Sequence, residues 1–168
     1  MVDAEKFKSI IKKFWDITDH GPIQWFLGFK IKWNRKTRAI SISQQVYIKT
    51  IVEKFRLTST KKITTPIEQN AQFSIQKCPA TLNQTMCMKK IPYVEAIGSI
   101  LWPIVVSRPN TPFAVGILSQ FIQSPGPAHW DGVKRVISYL GTAKNLWLTF
   151  GGGKCMQLQG YCNVDWAS

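Results

Sequence analysis

Phe7, Ile10, Ile11 and Phe14 recur at helical spacing behind Asp3, with Lys6, Lys8, Lys12 and Lys13 on the opposite side, which predicts an amphipathic helix capped by Asp3. His20-Gly21-Pro22 interrupts it. Leu27, Phe29, Ile31 and Trp33 then alternate with Gly28, Lys30 and Lys32, and after the turn residues Asn34 to Thr37 the alternation resumes with Ile40 and Ile42. The span from Trp25 to Ser43 is thus expected to be a β-hairpin with a basic rim. Ile48, Ile51, Val52 and Phe55 return to the helical period and predict a second helix ending near Leu57.

From Thr58 to Pro92 no period holds, and polar residues with Pro66 and Pro79 dominate. This is the natural boundary, either a long connection or a loop wrapped over a neighbour. Beyond it, Tyr93, Ile97, Ile100, Leu101 and Ile104 predict a helix kinked or stopped at Pro103. Pro112 and Pro127 sit where the first turn of a helix tolerates a missing amide. The expected buried faces are Phe113, Ile117, Leu118 and Phe121 in one helix, and Trp130, Val133, Ile137 and Leu140 in the next, with Gly141 as its stop. Leu146 to Phe150 reads as a strand, and Met156 to Tyr161 alternates weakly before the final residues.

Composition agrees with a folded chain: 168 residues, 45% of them hydrophobic, are enough for one core or two small ones. Charge adds a partner. Twenty-two Lys and Arg against nine Asp and Glu give a net +13, a surface that a polyanion such as nucleic acid would relieve, although scattered charge is also compatible with a merely soluble basic protein. No apolar run approaches the roughly 18 residues of a membrane span, and Met1 opens no signal-peptide pattern. The expected location is therefore intracellular, in cytoplasm or nucleus. Cys78, Cys87, Cys155 and Cys162 lack the spacing of a zinc site and are expected to be reduced.

Isolated candidate motifs carry little. Gly151-Gly152-Gly153 lacks the Lys-Ser/Thr of a phosphate-binding loop and reads as a linker. His20 and His129 stand in no catalytic arrangement, and His129 beside Trp130 is expected to pack or cap. The aromatic residues fall mostly on buried faces, with Trp25 and Trp33 kept as possible stacking platforms for bases.

An ordered series of blocks says more. Phe26 to Ile31, Ser43-Gln44-Gln45-Val46-Tyr47-Ile48, Thr65-Pro66, Tyr93 to Ser99, Ser107-Arg108-Pro109-Asn110, Phe113 to Gly116, His129 to Thr142 and Gly160 to Ala167 follow one another as in copia-type retrotransposon polyproteins. The chain resembles a plant-like or fungal-like Pol segment of that family, running from the end of the reverse transcriptase palm into the start of RNase H. The resemblance implies an α+β fold with a palm remnant, primer-grip-like hairpin and first thumb helix over 1–57, a connecting segment over 58–92, a helical thumb and connection over 93–150, and a truncated RNase H-like stretch over 151–168.

The resemblance also implies what this chain lacks. The family's Tyr-x-Asp-Asp turn is absent from the sequence, and Asn163 stands where the first Asp of the RNase H Asp-x-Asp-Trp-Ala would lie, leaving Asp165 alone. Two-metal chemistry needs paired carboxylates, so magnesium is expected for the intact parent enzyme and no cofactor for this chain. The implied function is to bind an RNA or DNA primer–template, together with the remainder of the polyprotein and without catalysis. Lys30, Lys32, Arg35, Lys36 and Arg38 on the hairpin are the foremost phosphate contacts, and Lys49, Lys54, Lys134 and Arg135 on helices are secondary ones. A decayed or domesticated element serving as an interaction or structural domain is the alternative.

Overall fold

The computed structural model describes residues 2–57 and 62–152, with side chains from residue 5 onward. The expected Asp3 cap, Asn163, Asp165 and the whole RNase H-like stretch after Gly152 lie outside the described residues, as do Cys155 and Cys162. The described chain is a mixed α+β structure: helices pack around one core, and a small antiparallel sheet flanks them.

The elements are α1 (Val2–Ile11), β1 (Trp25–Phe26), β2 (Phe29–Asn34), β3 (Ala39–Ser43), α2 (Gln45–Lys54), α3 (Leu82–Lys89), α4 (Tyr93–Ser107), α5 (Pro112–Ser119), α6 (Pro127–Thr142) and β4 (Leu148–Gly151). A 3-10 turn at Ile75–Lys77 precedes α3. The core is the meeting of α2, α4, α5 and α6, where Ile48, Ile97, Ile100, Val133, Ile137 and Leu140 are almost wholly buried. Each such side chain stabilises the fold by about 1.5–3 kcal/mol relative to exposure.

Several sequence expectations change on contact with the structure. Leu27 does not belong to the packed face of a strand: it sits with Gly28 in the turn between β1 and β2, both at positive φ (46° and 82°), the arrangement of a type I′ hairpin turn. Phe113 is 72% exposed, because the inward stripe of α5 runs through Thr111, Ala114, Val115 and Leu118 instead. Gly141 does not stop α6, which continues to Thr142; a Cβ there would lie 3.1 Å from Val52 Cγ2, so the glycine admits α2 close against α6.

The polar segment also departs from the first reading, since it contains α3, of which Met88 is the buried residue. The Thr81 hydroxyl accepts from the Gln84 amide while the Gln84 side chain accepts from Thr81, a reciprocal cap that starts a helix without an apolar stripe. The remainder wraps over a neighbour: Ile63, Ile67 and Phe73 pack on the core, and the Ile63 amide donates to the Thr142 hydroxyl at 3.3 Å.

The family-like blocks hold this architecture together. Helix α4 runs through Pro103 rather than stopping there. Proline has no amide to offer the Ser99 carbonyl one turn earlier, and the Tyr47 hydroxyl donates to that carbonyl at 3.2 Å instead. Beside it, the Ser107 hydroxyl donates to the buried Gln44 Oε1 at 2.7 Å. The Ser-Gln-x-x-Tyr block thereby docks α2 onto α4. Arg108, 3% exposed, donates to the Ser107 carbonyl at 2.9 Å and to the Ala143 carbonyl at 2.9 Å, closing the C-terminal ends of α4 and α6 with one guanidinium. No carboxylate among the described residues forms a salt bridge with it, and burial pushes its pKa below the ordinary value.

His129 has a comparable task. Its Nδ1 accepts from the Gly126 amide at 2.8 Å at the start of α6, and its ring stacks on Phe121 with centroids 3.9 Å apart. Burial holds the imidazole below its ordinary pKa, with the Ser74 backbone acting in the opposite sense and Lys77 adding to the depression.

Candidate nucleic-acid interface

The sheet order is β1-β2-β3-β4, antiparallel throughout, and its register fixes which side chains share a face. Lys30 lies opposite Trp25 and Ser43, and Lys32 lies opposite Ser41, which in turn faces Thr149. These residues make a polar face. Phe26, Phe29, Ile31, Trp33, Ile40, Ile42, Leu148 and Phe150 fall on the other, because successive strand residues point to opposite sides.

The apolar face is seated at one end only. Phe29 is buried and stacks on Trp102 of α4, with ring centroids 5.6 Å apart. At the far end the cross-strand row Trp33, Ile40 and Phe150 remains exposed. The polar face thus points away from the helical layer, which leaves its cations in water.

Local chemistry shapes the basic rim. Asn34 Oδ1 accepts from the amides of Lys36 and Thr37 at 3.1 and 3.2 Å, which closes the hairpin turn, and Arg38 completes it at a φ of 54°. The Lys32 ammonium stands 4.4 Å over the Trp147 ring, and the Arg35 guanidinium 4.7 Å over Trp33. The Ser41 and Thr149 hydroxyls share a hydrogen bond of 2.8 Å that ties β4 to the hairpin.

The nine cations singled out from sequence divide into two groups. Those on helices all meet carboxylates: Lys49 with Glu53 at 3.7 Å, Lys54 with Glu95 at 2.8 Å, Lys134 with Asp131 at 2.6 Å and Arg135 with Glu68 at 2.7 Å. Arg135 also donates to the Thr65 hydroxyl at 3.1 Å, so the Thr-Pro block is where the polar segment is strapped to α6. The hairpin cations Lys30, Lys32, Arg35, Lys36 and Arg38 lie instead in a stretch, His20 to Val52, that contains neither Asp nor Glu. Sequence reasoning missed Trp147, whose place on the polar face follows only from the pairing of β4 with β3.

Among the described residues no three His, Cys, Asp or Glu side chains converge in a way that would hold a metal ion. No helix among them is long and apolar enough to cross a membrane.

Residues 1–69 match the family described as reverse transcriptase (RNA-dependent DNA polymerase). A retrovirus-related Pol polyprotein from transposon TNT 1-94 of Nicotiana tabacum is 36% identical over 96% of this chain and 12% of its own length. A putative transposon Ty5-1 protein of Saccharomyces cerevisiae is 25% identical over 96% of this chain and 50% of its own length. A secreted RxLR effector protein of Plasmopara viticola is 44% identical over 48% of this chain and 56% of its own length. The chain therefore spans from about an eighth to little more than half of these relatives. No solved structure matches it. The chain is thus similar over almost all of its length to a retrovirus-related Pol polyprotein from a transposon, and its first 69 residues match the reverse transcriptase family.

Proposed function

We propose that this chain is the nucleic-acid-holding part of a retrotransposon reverse transcriptase, gripping a primer–template duplex through the hairpin and contributing no chemistry of its own. In this reading the hairpin is the palm's primer-holding element and the helices α2 and α4 to α6 are thumb and connection. One observation carries it: the helical cations meet carboxylates, whereas Lys30, Lys32, Lys36 and Arg38 lie on one small sheet and its turn, in a stretch whose sequence holds neither Asp nor Glu. Each cation that neutralises a phosphate releases condensed counterions, and on the helices a neighbouring carboxylate competes for that role. Catalysis would need the family's paired aspartates, and no Tyr-x-Asp-Asp occurs in the sequence.

The exposed row Trp33, Ile40 and Phe150 favours a second reading, an interaction domain for the rest of the polyprotein or another protein. Salt titration separates the two. Duplex affinity should fall steeply with salt, and Lys30→Ala, Lys32→Ala and Lys36→Ala together should flatten the slope of log affinity against log salt by up to about 0.9 per lost contact. Lys49→Ala should leave the slope unchanged. Duplex binding no stronger than that of an unrelated domain of equal charge, or an unaltered slope in the triple variant, would favour the interaction domain.

A further inference from the structure

A cleft of about 520 Å³ opens beside the hairpin, lined by His20, Gly21, Pro22, Ile23, Gln24 and Trp25. Its walls are held from both ends. At one end Asp19 Oδ1 accepts from the Gly21 amide at 2.9 Å, and its other oxygen accepts from Lys8 at 2.7 Å, so the carboxylate is neutralised where the loop turns. At the other end the Ile31 amide donates to the Gln24 carbonyl at 2.8 Å, which fixes the strand carrying Trp25. Gly21 supplies a φ of 76° and Pro22 locks the next residue, so the concavity is built into the backbone.

Trp25 is the unexplained side chain of this region. It lies on the polar face, opposite Lys30 and away from the face that Phe29 seats on α4, and it is 52% exposed. A large indole there gains little from packing, yet it offers a flat π-surface one strand from an ammonium. An open concavity, an aromatic wall and an adjacent cation are the three parts of a stacking site for single-stranded nucleic acid. The Gln24 side-chain amide and His20 imidazole add hydrogen-bonding groups to the rim.

We infer that the cleft receives one unpaired nucleobase, stacked on Trp25, while the phosphate of the same strand lies on Lys30. The inference rests on the proposed nucleic-acid grip and adds to it a base-stacking contact at Trp25, outside the paired duplex.

The test compares three probes of one duplex sequence: blunt, carrying a short single-stranded tail, and carrying an abasic tail with the same number of phosphates. Affinity is measured at fixed salt and along a salt series. The base-bearing tail should bind more tightly than the abasic tail by about 5- to 150-fold, the range that one base stacked on an aromatic ring commands. Trp25→Leu keeps apolar bulk but no ring and should erase that gain without changing the salt slope, while Trp25→Phe should retain most of it. Equal affinity for the two tails, or equal loss in the Leu and Phe variants, overturns the inference while salt-dependent duplex binding still stands. Absence of salt-dependent binding to all three probes overturns the underlying grip and the inference with it.

Discussion

Alanine at Gly132 tests how tightly the polar segment is pressed onto the helical core. Gly132 lies within α6 and is buried, and a Cβ built on it would stand 2.8 Å from Leu118 Cδ2 and 2.8 Å from Phe73 Cζ. Two effects oppose each other. Helix propensity favours alanine over glycine by about 0.8–1.0 kcal/mol. Forcing a methyl into an occupied core costs about 1–3 kcal/mol, and Leu118 is itself fully buried with nowhere to retreat. Phe73 is less confined and gives way first, and the difference of the two terms places the net change at about 0–2 kcal/mol of destabilisation. Gly98 in α4 and Gly116 in α5 supply the controls, because nothing lies within 4 Å of a Cβ at either site. Gly98→Ala and Gly116→Ala should therefore stabilise, each by about 0.5–1 kcal/mol. Urea denaturation followed by far-UV circular dichroism, with m-values compared across the variants, reads all three changes. Stabilisation of Gly132→Ala by the same amount as the controls would refute the packing of Phe73 and Leu118 on α6.

Two further changes probe the buried polar groups. Burial depresses the His129 pKa, so the unfolded chain takes up a proton before the folded one does. Stability should be full above the ordinary histidine pKa and fall as pH drops below it; His129→Gln keeps an acceptor for the Gly126 amide without titrating, and a pH–stability curve as steep as the wild type's would refute the assignment. Arg108→Met removes the guanidinium that satisfies the Ser107 and Ala143 carbonyls, and although it also relieves a buried charge, the orphaned carbonyls should dominate, with a loss of about 2–4 kcal/mol in denaturation. An unchanged midpoint would show that water replaces the clamp.

The parts of the fold that sequence reveals are those in which large apolar residues mark the buried side. Helices α2, α4 and α6 and the β2–β3 hairpin all carry such a stripe. Helix α3 escaped because Leu82 and Met86 point outward and its start is encoded by hydrogen bonds between Thr81 and Gln84, not by hydrophobic period. In and after α5, Leu118 and Phe121 are buried as expected, and only Phe113 departs, because close helix approach favours the small Ala114 at the inward position. That Lys30 and Lys32 share one face of β2 was legible from alternation. The pairing of the helical cations was not, since Glu68 meets Arg135 across 67 positions of chain. Trp25 was already a candidate for stacking, but its cleft and its place opposite Lys30 depend on the Leu27-Gly28 turn, and a leucine at positive φ is not what residue preference suggests.

The bond between Ser41 and Thr149 joins residues 108 positions apart, whereas β2 and β3 meet across a short turn. This disparity sets an order on synthesis. The hairpin can zip soon after Ser43 leaves the ribosome, but β3 then stays an open edge, with Ile40 and Ile42 beside unpaired backbone groups, until Leu148–Gly151 is made. Over that interval the sheet can recruit any extended strand in register, including β4 of a neighbouring chain on the same message. Strand exchange between nascent copies is thus the characteristic misfolding route of this architecture, and a chain ended before Leu148 would carry that open edge permanently.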